Sequence, residues 1–386
     1  MAEYISKGRK ARKSYGFDDV ALVPGDLTYD IKEVDASWKI GDLEFDVPII
    51  AAAMDGVVNV HFAREFSKRG GFAVLNLDGI SSRFEDLSSI YERMLSSKRE
   101  EVTSVIQEIY KEPIKEELVE KSISSIKEGG NFCAVSSVPQ NAERFAEIAE
   151  SAGADLFIVQ STVTTARHIS KRYKALDFDK FCSKLKIPVI IGNCVTYKTT
   201  LELMKTGAGA ILVGIGPGAA CTTRQVLGIG VPQITATGDA AAARDYYFKK
   251  TGKYVPIITD GGMSTGGDIA KAIAAGADAV MVGSAFAKTK ESPAPGYHWG
   301  MATSSENLPR GTLIQVGPIC TLDEMLTGPA WLDDGTQNLL GALRLSMASV
   351  GADSIKRMQL TELIIAPSIK TEGKVQQRQQ RVGMGK

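Results

Sequence analysis

The sequence lacks several features that would place it in well-defined classes of proteins. It is 386 residues long, with three histidines and five cysteines, and the cysteines show neither paired spacing nor a Cys-x-x-Cys motif. A zinc site or a disulfide framework is therefore not expected, and a reducing compartment is favoured. No apolar run approaches the roughly 18 residues of a membrane span, and the polar amino terminus does not look like a signal peptide. We expect a cytoplasmic protein.

An excess of charge of either sign is also missing. The 45 Lys and Arg residues balance 45 Asp and Glu residues, so the formal net charge is zero. Scattered charges of both signs provide no basic surface for nucleic acid and no polybasic segment for an anionic membrane. We predict neither a nucleic-acid partner nor a membrane partner. With 44% hydrophobic residues, the chain can bury a large core, as one large α/β domain or two smaller ones.

What the sequence does contain is a regular alternation of short apolar strands and helices. The predicted strands are 48–55, 72–75, 132–138, 156–160, 189–193, 210–213, 255–259 and 279–282. Several of the intervening helices are followed by Gly-Ala, which is a signal for a helix end. Eight such units in about 250 to 300 residues favour an α/β fold of the (β/α)8 TIM-barrel type over an open sheet.

Two segments interrupt this alternation. Residues 78–130 are charged and favour helices at 85–93, 100–110 and 116–127, so we predict a helical insertion after the second strand. Residues 288–336 are rich in Gly, Pro and Ser without periodicity, which is typical of a functional or mobile loop. A helix is predicted at 337–351. We expect one catalytic domain over residues 1–370 and a flexible Gln/Arg/Lys/Gly-rich tail over 371–386.

The most informative stretch is residues 214–224, which read Gly-Ile-Gly-Pro-Gly-Ala-Ala-Cys-Thr-Thr-Arg after an apolar strand. Glycines let the backbone approach a ligand and adopt positive φ, and successive free N–H groups form a nest for an anion such as phosphate. Oriented amides can also activate a neighbouring thiol, here Cys221, as a nucleophile. This pattern indicates covalent chemistry on a phosphorylated small molecule. The alternative is a tight turn that holds a buried, inert cysteine.

Polar residues follow several of the other strands. Asp260-Gly261-Gly262 follows the seventh predicted strand and Gly283-Ser284 the eighth, where TIM barrels commonly bind phosphate. Taken alone, Asp260 is equally typical of a helix N-cap or a turn. Together the two motifs favour a binding site at the carboxyl ends of the strands.

The 214–224 loop resembles the active-site loop of the IMP dehydrogenase/GMP reductase family, whose pattern is Gly-x-Gly-Pro-Gly-Ser-x-Cys-x-Thr-Arg. Ala219 departs from it, since the family has Ser there. The resemblance extends from Phe17-Asp18-Asp19-Val20 to about Ala352. It matches best the IMP dehydrogenase-related subfamily without the regulatory CBS domains. Segment 78–130 is too short for that pair of domains, so regulation through them is not expected.

The resemblance implies a role for each motif residue. Cys221 would add to C2 of a purine 5′-monophosphate, and Thr223 would handle a proton. The substrate would be held by Met54, Asn193, Gly218, Ala219, Asp260, Gly261, Gly262, Gly283, Ser284, His298, Gly300 and Met301. Among these, Asp260 would hold the ribose hydroxyls, and His298 stands where the family has a phosphate-binding tyrosine. A nicotinamide cofactor, NADP(H) or NAD(H), would contact Gln160, Ser161 and Asn193, with Gln160 in place of the family's Asp. Backbone carbonyls of Gly216, Gly218 and Cys221 would bind K⁺.

The family carries out two reactions through one thioimidate intermediate, and residues of the flap distinguish between them. Dehydrogenases activate water with an Arg-Tyr pair in the flap, the mobile loop over the site. Here residues 288–341 contain no Arg-Tyr, and their single arginine is Arg310. Reductases pair a flap Glu with the threonine, and Glu306 is the candidate. We therefore favour a GMP reductase that converts GMP and NADPH to IMP, ammonia and NADP.

Two alternatives stay open at this point. One is an IMP dehydrogenase, which converts IMP, NAD and water to XMP and NADH. The other is a non-catalytic purine-nucleotide-binding paralogue, which the departures at Gln160, Ala219 and His298 would suit. For any of the three, the resemblance implies a homotetramer or a larger assembly.

Overall fold

Eight parallel strands form the centre of the molecule, whose structure, a computed structural model, describes residues 2–300 and 311–385. They are β1 (Ile49–Ala51), β2 (Val74–Asn76), β3 (Ala134–Ser137), β4 (Leu156–Gln160), β5 (Val189–Cys194), β6 (Ala210–Val213), β7 (Ile257–Asp260) and β8 (Ala279–Val282). Each strand pairs with the next, and β8 pairs with β1. A bridge between Ala51 and Ala73 joins the two ends of the sheet. The predicted TIM barrel is confirmed, and every predicted strand overlaps an observed one.

One helix outside the barrel follows each strand. These are α1 (Val60–Ser67), α2 (Glu116–Lys127), α3 (Ala142–Ser151), α4 (Phe178–Lys184), α5 (Tyr197–Lys205), α6 (Gln233–Thr251), α7 (Gly266–Ala274) and α8 (Leu339–Ser349). Several begin at a side-chain cap: Asn59 accepts from the N–H of Phe62, and Thr265 accepts from that of Asp268. Helix α8 overlaps the helix predicted at 337–351. It packs against α7 and completes the eighth βα unit.

Side chains of the strands alternate between two cores. Ile49 and Ala51 of β1 pack outward against the helices, whereas Ile50 points into the barrel. A hairpin of Trp38–Ile40 and Leu43–Phe45 adds aromatic rings to the inner core. The rings of this hairpin contact Phe72, which precedes β2, so the hairpin covers the amino-terminal end of the barrel. The opposite end, where the strands finish, carries the loops of the candidate site.

The segment predicted as a helical insertion contains one helix of the barrel itself. Helix α2 packs between α1 and α3, because its apolar face is buried there, so it is the second barrel helix. The other two helices, Leu87–Leu95 and Val102–Ile109, form the insertion proper. They share a small apolar core with the hairpin of Tyr297–Trp299 and Leu313–Gln315. This contact places the insertion at the carboxyl end of the barrel.

The ends of the chain also contain regular structure. Strands Ala2–Ser6 and Arg9–Arg12 pair with each other at the amino terminus. Helix Val375–Gln380 lies in the segment predicted as a flexible tail, and the N–H of Gly383 donates to Asp333 at 3.1 Å. Over residues 2–300 and 311–385, no helix has the length and apolarity needed to cross a membrane.

Candidate active site

Cys221 lies in the loop after β6, two residues before the short helix Thr223–Leu227 begins. Its thiol donates to Oγ1 of Thr223 at 3.2 Å, and its N–H donates to the carbonyl of Gly218 at 3.0 Å. The Cys221 side chain is exposed, while Thr223 beneath it is buried. The predicted nucleophile and its threonine are therefore in contact. A buried, inert cysteine is not what the structure shows at this position.

The other four cysteines lie in different surroundings. Cys133, Cys194 and Cys320 are buried, and Cys182 is half-buried. Burial raises the pKa of Cys133 to about 12 and that of Cys194 to about 11. Neutral thiols are poor nucleophiles, so Cys221 is the cysteine that the fold presents for chemistry.

Glycines in three loops form a cradle beside Cys221. Gly261 and Gly262 have φ of 80° and 81°, a conformation that side chains disfavour. A Cβ atom on Gly262 would lie 3.0 Å from Cβ of Pro217, so the loops after β6 and β7 touch here. A Cβ atom on Gly283 would lie 2.6 Å from the sulfur of Met54. The close approach of these loops brings their backbone groups to one side of a cavity, as a phosphate site requires.

Asp260 ends β7 and is held by Asn193. The Nδ2 of Asn193 donates to Oδ2 of Asp260 at 2.7 Å, and the side chain of Gln233 donates to its main-chain carbonyl at 2.8 Å. Burial raises the pKa of Asp260 to about 6, and the hydrogen bond from Asn193 opposes this rise. Asn193 itself lies outside the cavity lining. The structure therefore shows that Asn193 supports Asp260, and its predicted contact with substrate and cofactor stays a prediction.

These residues surround one cavity of about 400 Å³ at the carboxyl end of the barrel. Its lining includes most of the predicted substrate and catalytic residues: Met54, Gly218, Ala219, Cys221, Thr223, Asp260, Gly261, Gly262, Gly283, Ser284, His298 and Gly300. Residues that were not predicted as functional also line it, among them Ala52, Thr162, Ser264 and Thr312. The volume suits a small organic ligand.

His298 lies in the wall of this cavity. It is buried, and neither ring nitrogen has a hydrogen-bond partner within residues 2–300 and 311–385. Burial lowers the pKa of the imidazole to about 4, so the ring is neutral near pH 7. A neutral imidazole offers one donor and one acceptor, which is the capacity of the tyrosine hydroxyl that the family pattern has here.

A second cavity of about 330 Å³ adjoins the first, and both are lined by Met54 and Gly300. Gln160 lines it, and its Oε1 is buried without a partner in the described chain. An unsatisfied buried acceptor suits a ligand hydroxyl or amide. Ser161 is placed differently: its hydroxyl pairs with Thr164 and the carbonyl of Val163, and it does not line this cavity. Of the predicted cofactor residues, Gln160 lines one of these two cavities, and Ser161 and Asn193 line neither.

The predicted potassium site involves backbone carbonyls. Gly216 lies outside the lining of the substrate cavity, and a Cβ atom on it would meet Cγ of Arg224 at 2.5 Å. The carbonyl of Gly218 accepts the Cys221 N–H, which leaves one lone pair for an ion. No group of three His, Cys, Asp or Glu side chains occurs as a metal site in residues 2–300 and 311–385. Such a group would supply side-chain ligands, whereas K⁺ would be bound by main-chain carbonyls, so the potassium site stays a prediction. Met301, Glu306 and Arg310 lie outside the described residues.

Several residues of the second cavity were not predicted as functional, among them Asp55, Arg83 and Tyr110. The sequence could have indicated Asp55 as a site residue, because it is an acidic residue directly after a buried strand. Its carboxylate is buried and accepts hydrogen bonds from the Tyr110 hydroxyl and from Asn76. Tyr110 gives no signal of its own, because it reaches this place only through the packing of the insertion.

The fold and this arrangement define a TIM-barrel enzyme with an exposed cysteine beside a glycine-lined cavity. The sequence pattern of the family described as "IMP dehydrogenase / GMP reductase domain" matches residues 14–303. The chain belongs to this family and is an oxidoreductase.

Known proteins resemble the chain over different lengths. It is 37% identical over 370 residues to a protein of Mycolicibacterium smegmatis described as an uncharacterized oxidoreductase, covering 94% of this chain and 99% of that protein. It is 31% identical to the inosine-5′-monophosphate dehydrogenase of Cryptosporidium parvum, over 73% of this chain and 70% of the relative. A crystal structure of an IMP dehydrogenase/GMP reductase-like protein from Corynebacterium glutamicum superposes with a TM-score of 0.90 at 34% identity, covering 95% and 98% of the two chains.

Proposed function

We propose that this oxidoreductase acts at C2 of a purine nucleoside 5′-monophosphate through a covalent bond to Cys221. The observation that carries the proposal is that Cys221, Thr223, Asp260 and the glycine cradle line one cavity. The cradle would hold the phosphate, and Asp260 would accept hydrogen bonds from the ribose hydroxyls. The base would then lie between Met54 and Cys221. A nucleophile and a proton-handling hydroxyl in contact are the minimum for a covalent mechanism.

The direction that we propose is the reduction of GMP to IMP. The Cys221 thiolate adds to C2, and the C2 amino group leaves as ammonia after taking a proton. Hydride from NADPH then adds to C2 of the thioimidate, and the thiolate leaves with the electron pair of the C–S bond. In sum, GMP, NADPH and two protons yield IMP, NADP and ammonium. This sequence needs no water-activating base, which suits a flap without an Arg-Tyr pair.

IMP dehydrogenase is the second candidate. Its support comes from relatives that carry this name, such as those of Cryptosporidium parvum and of Haemophilus influenzae, 31% and 34% identical to the chain. In this direction, hydride leaves C2 of the Cys221 adduct for NAD, and water hydrolyses the thioimidate to XMP. Water activation would then require a base in the flap or beside the second cavity.

The nicotinamide cofactor would supply or accept the hydride. Gln160 is the residue whose placement fits it, since its buried Oε1 can accept from a ribose hydroxyl. The proposal includes NADPH for the reductase, or NAD for the dehydrogenase. We also propose a carbonyl-bound K⁺ near Gly218 and a homotetramer. Omission of K⁺ from the assay and light scattering of the purified protein test these two.

An absorbance assay separates the candidate functions. One sample receives GMP and NADPH, and another receives IMP, NAD and K⁺, with Cys221→Ser as the matched control for each. We expect loss of NADPH together with release of ammonia in the first sample. Formation of NADH and XMP in the second sample would establish the dehydrogenase instead. If neither occurs while IMP still binds, the catalytic proposal is wrong and the protein is a nucleotide-binding paralogue.

A further inference from the structure

The insertion reaches the second cavity, which adjoins the substrate cavity, through the side chain of Tyr110. Its hydroxyl donates to the carboxylate of Asp55 and accepts from Nε1 of Trp299 at 3.0 Å. Asp55 is 5% exposed and Trp299 is 1% exposed, so both hydrogen bonds are made by groups withdrawn from water. A buried polar group that loses its partner is strongly disfavoured. The Tyr110 hydroxyl therefore satisfies two buried groups that belong to different parts of the chain.

Asp55 and Trp299 are each adjacent in sequence to residues that line the substrate cavity. Asp55 follows Met54, which lines that cavity, and Trp299 stands between His298 and Gly300, which line it as well. The two segments also touch, since a Cβ atom on Gly56 would lie 2.9 Å from the Trp299 ring. The position of one segment thus depends on that of the other.

The surroundings hold the Tyr110 ring in one orientation. The guanidinium of Arg83 lies 5.7 Å from its ring centre. A second tyrosine of the insertion, Tyr91, donates to the main-chain carbonyl of Asp55 at 2.9 Å and packs beside the Trp299 ring. A Cβ atom on Gly79 would lie 2.0 Å from Oδ1 of Asp55, so the chain before the insertion closes tightly over the carboxylate. Packing this close leaves little freedom for rearrangement.

We infer that Tyr110 is a positioning residue, which ties the insertion to Asp55 and Trp299 and so holds the Met54 and His298 walls of the substrate cavity in place. This inference rests on the proposed function, since it assigns Tyr110 to nucleotide binding. It gives the insertion a role in the active site. Tyr110 does not line the first cavity.

The test is Tyr110→Phe, which removes the hydroxyl and keeps the ring. The matched control is Tyr254→Phe at the amino-terminal end of the barrel. There, too, a tyrosine hydroxyl donates to a buried carboxylate, that of Asp278 at 2.7 Å, and accepts from a nitrogen, Nζ of Lys356. Both variants are expected to lower Tm. Only Tyr110→Phe should raise the KM and the Kd for the nucleotide, by about tenfold, because small displacements of binding groups have effects of this order. With nucleotide and cofactor both saturating, its kcat should change by less than about threefold.

Several outcomes would overturn the inference. It is wrong if Tyr110→Phe leaves KM and Kd within twofold of the wild type, or if Tyr254→Phe raises them equally. Should Tyr110→Phe fail to fold, Trp299→Phe replaces it, since this variant loses the N–H donor to Tyr110, and the same rise is expected. If the wild-type protein binds neither GMP nor IMP by calorimetry, the proposed function fails and the inference falls with it. If the wild type binds nucleotide and Tyr110→Phe binds it equally well, only the inference about Tyr110 is wrong.

Discussion

The hydrogen bond from Asn193 to Asp260 makes a quantitative prediction about the pH dependence of activity. In the proposed function, an ionised Asp260 accepts hydrogen bonds from both ribose hydroxyls, and burial raises its pKa to about 6. The side chain of Asn193, 2.7 Å away, stabilises the ionised form and so opposes that rise. Asn193→Ala removes this donor. The pKa of Asp260 should therefore increase further.

The size of the increase follows from the strength of such a bond. A hydrogen bond to a charged group contributes about 1.5 kcal/mol or more, and one pKa unit corresponds to about 1.4 kcal/mol. We expect the pKa of Asp260 to rise by about one unit, to about 7. At pH 6 the ionised fraction then falls from about one half to about one tenth, so kcat/KM should fall about fivefold. At pH 8.5 both enzymes are ionised at this residue, and the difference should largely disappear.

The assay is kcat/KM for the nucleotide between pH 5 and pH 9, with whichever substrate pair proves active. Asn59→Ala is the control, because it removes an asparagine that caps α1 and does not line the substrate cavity. It should lower the stability by about 1 kcal/mol and leave the acidic limb of the profile unchanged. If Asn193→Ala shows the same acidic limb as the wild type, or loses activity equally at every pH, the reasoning about Asp260 is wrong.

Three further predictions concern the same cavity. Because the pKa of Asp260 is raised, the native state holds more protons than the unfolded state between pH 4 and 6, so the free energy of unfolding falls as pH rises through this window. Asp260→Asn should therefore raise Tm at pH 8 and weaken nucleotide binding. An unchanged Tm would contradict this. Iodoacetamide should modify Cys221 before the other cysteines, and bound nucleotide should protect Cys221. Mass spectrometry of peptides measures both effects, and equal labelling of Cys182 would contradict the prediction. Gly283→Ala should displace the Met54 side chain and raise KM about tenfold with little loss of stability. The control Gly267→Ala, on α7, should leave KM unchanged.

Local patterns in the sequence identify much of this protein. Each barrel strand is a short apolar run, and each predicted run overlaps an observed strand, because strand formation here depends on residues that are neighbours in the chain. The glycines at 261 and 262 and the cysteine at 221 belong to motifs that function as continuous segments. Their position after strands β6 and β7 follows from the barrel topology, since the carboxyl ends of parallel strands meet at one side.

Other parts of the prediction needed contacts between distant residues. Helix α2 is indistinguishable in sequence from the insertion helices, and only its burial between α1 and α3 identifies it as part of the barrel. Nothing in the sequence indicates that Asn193 donates a hydrogen bond to Asp260, a residue 67 positions away. Such a partner depends on how the strand ends meet in space.

The sequence by itself determined the barrel and the family and predicted the nucleophile, because short motifs and hydrophobic periodicity carry this information. Tertiary structure alone decided that Tyr110 of the insertion meets Asp55, 55 residues earlier, and Trp299, 189 residues later. It also decided that His298 is buried and neutral while Cys221 is exposed. Burial and side-chain partners are properties of the packed molecule, and they set the protonation states on which the chemistry at this site depends.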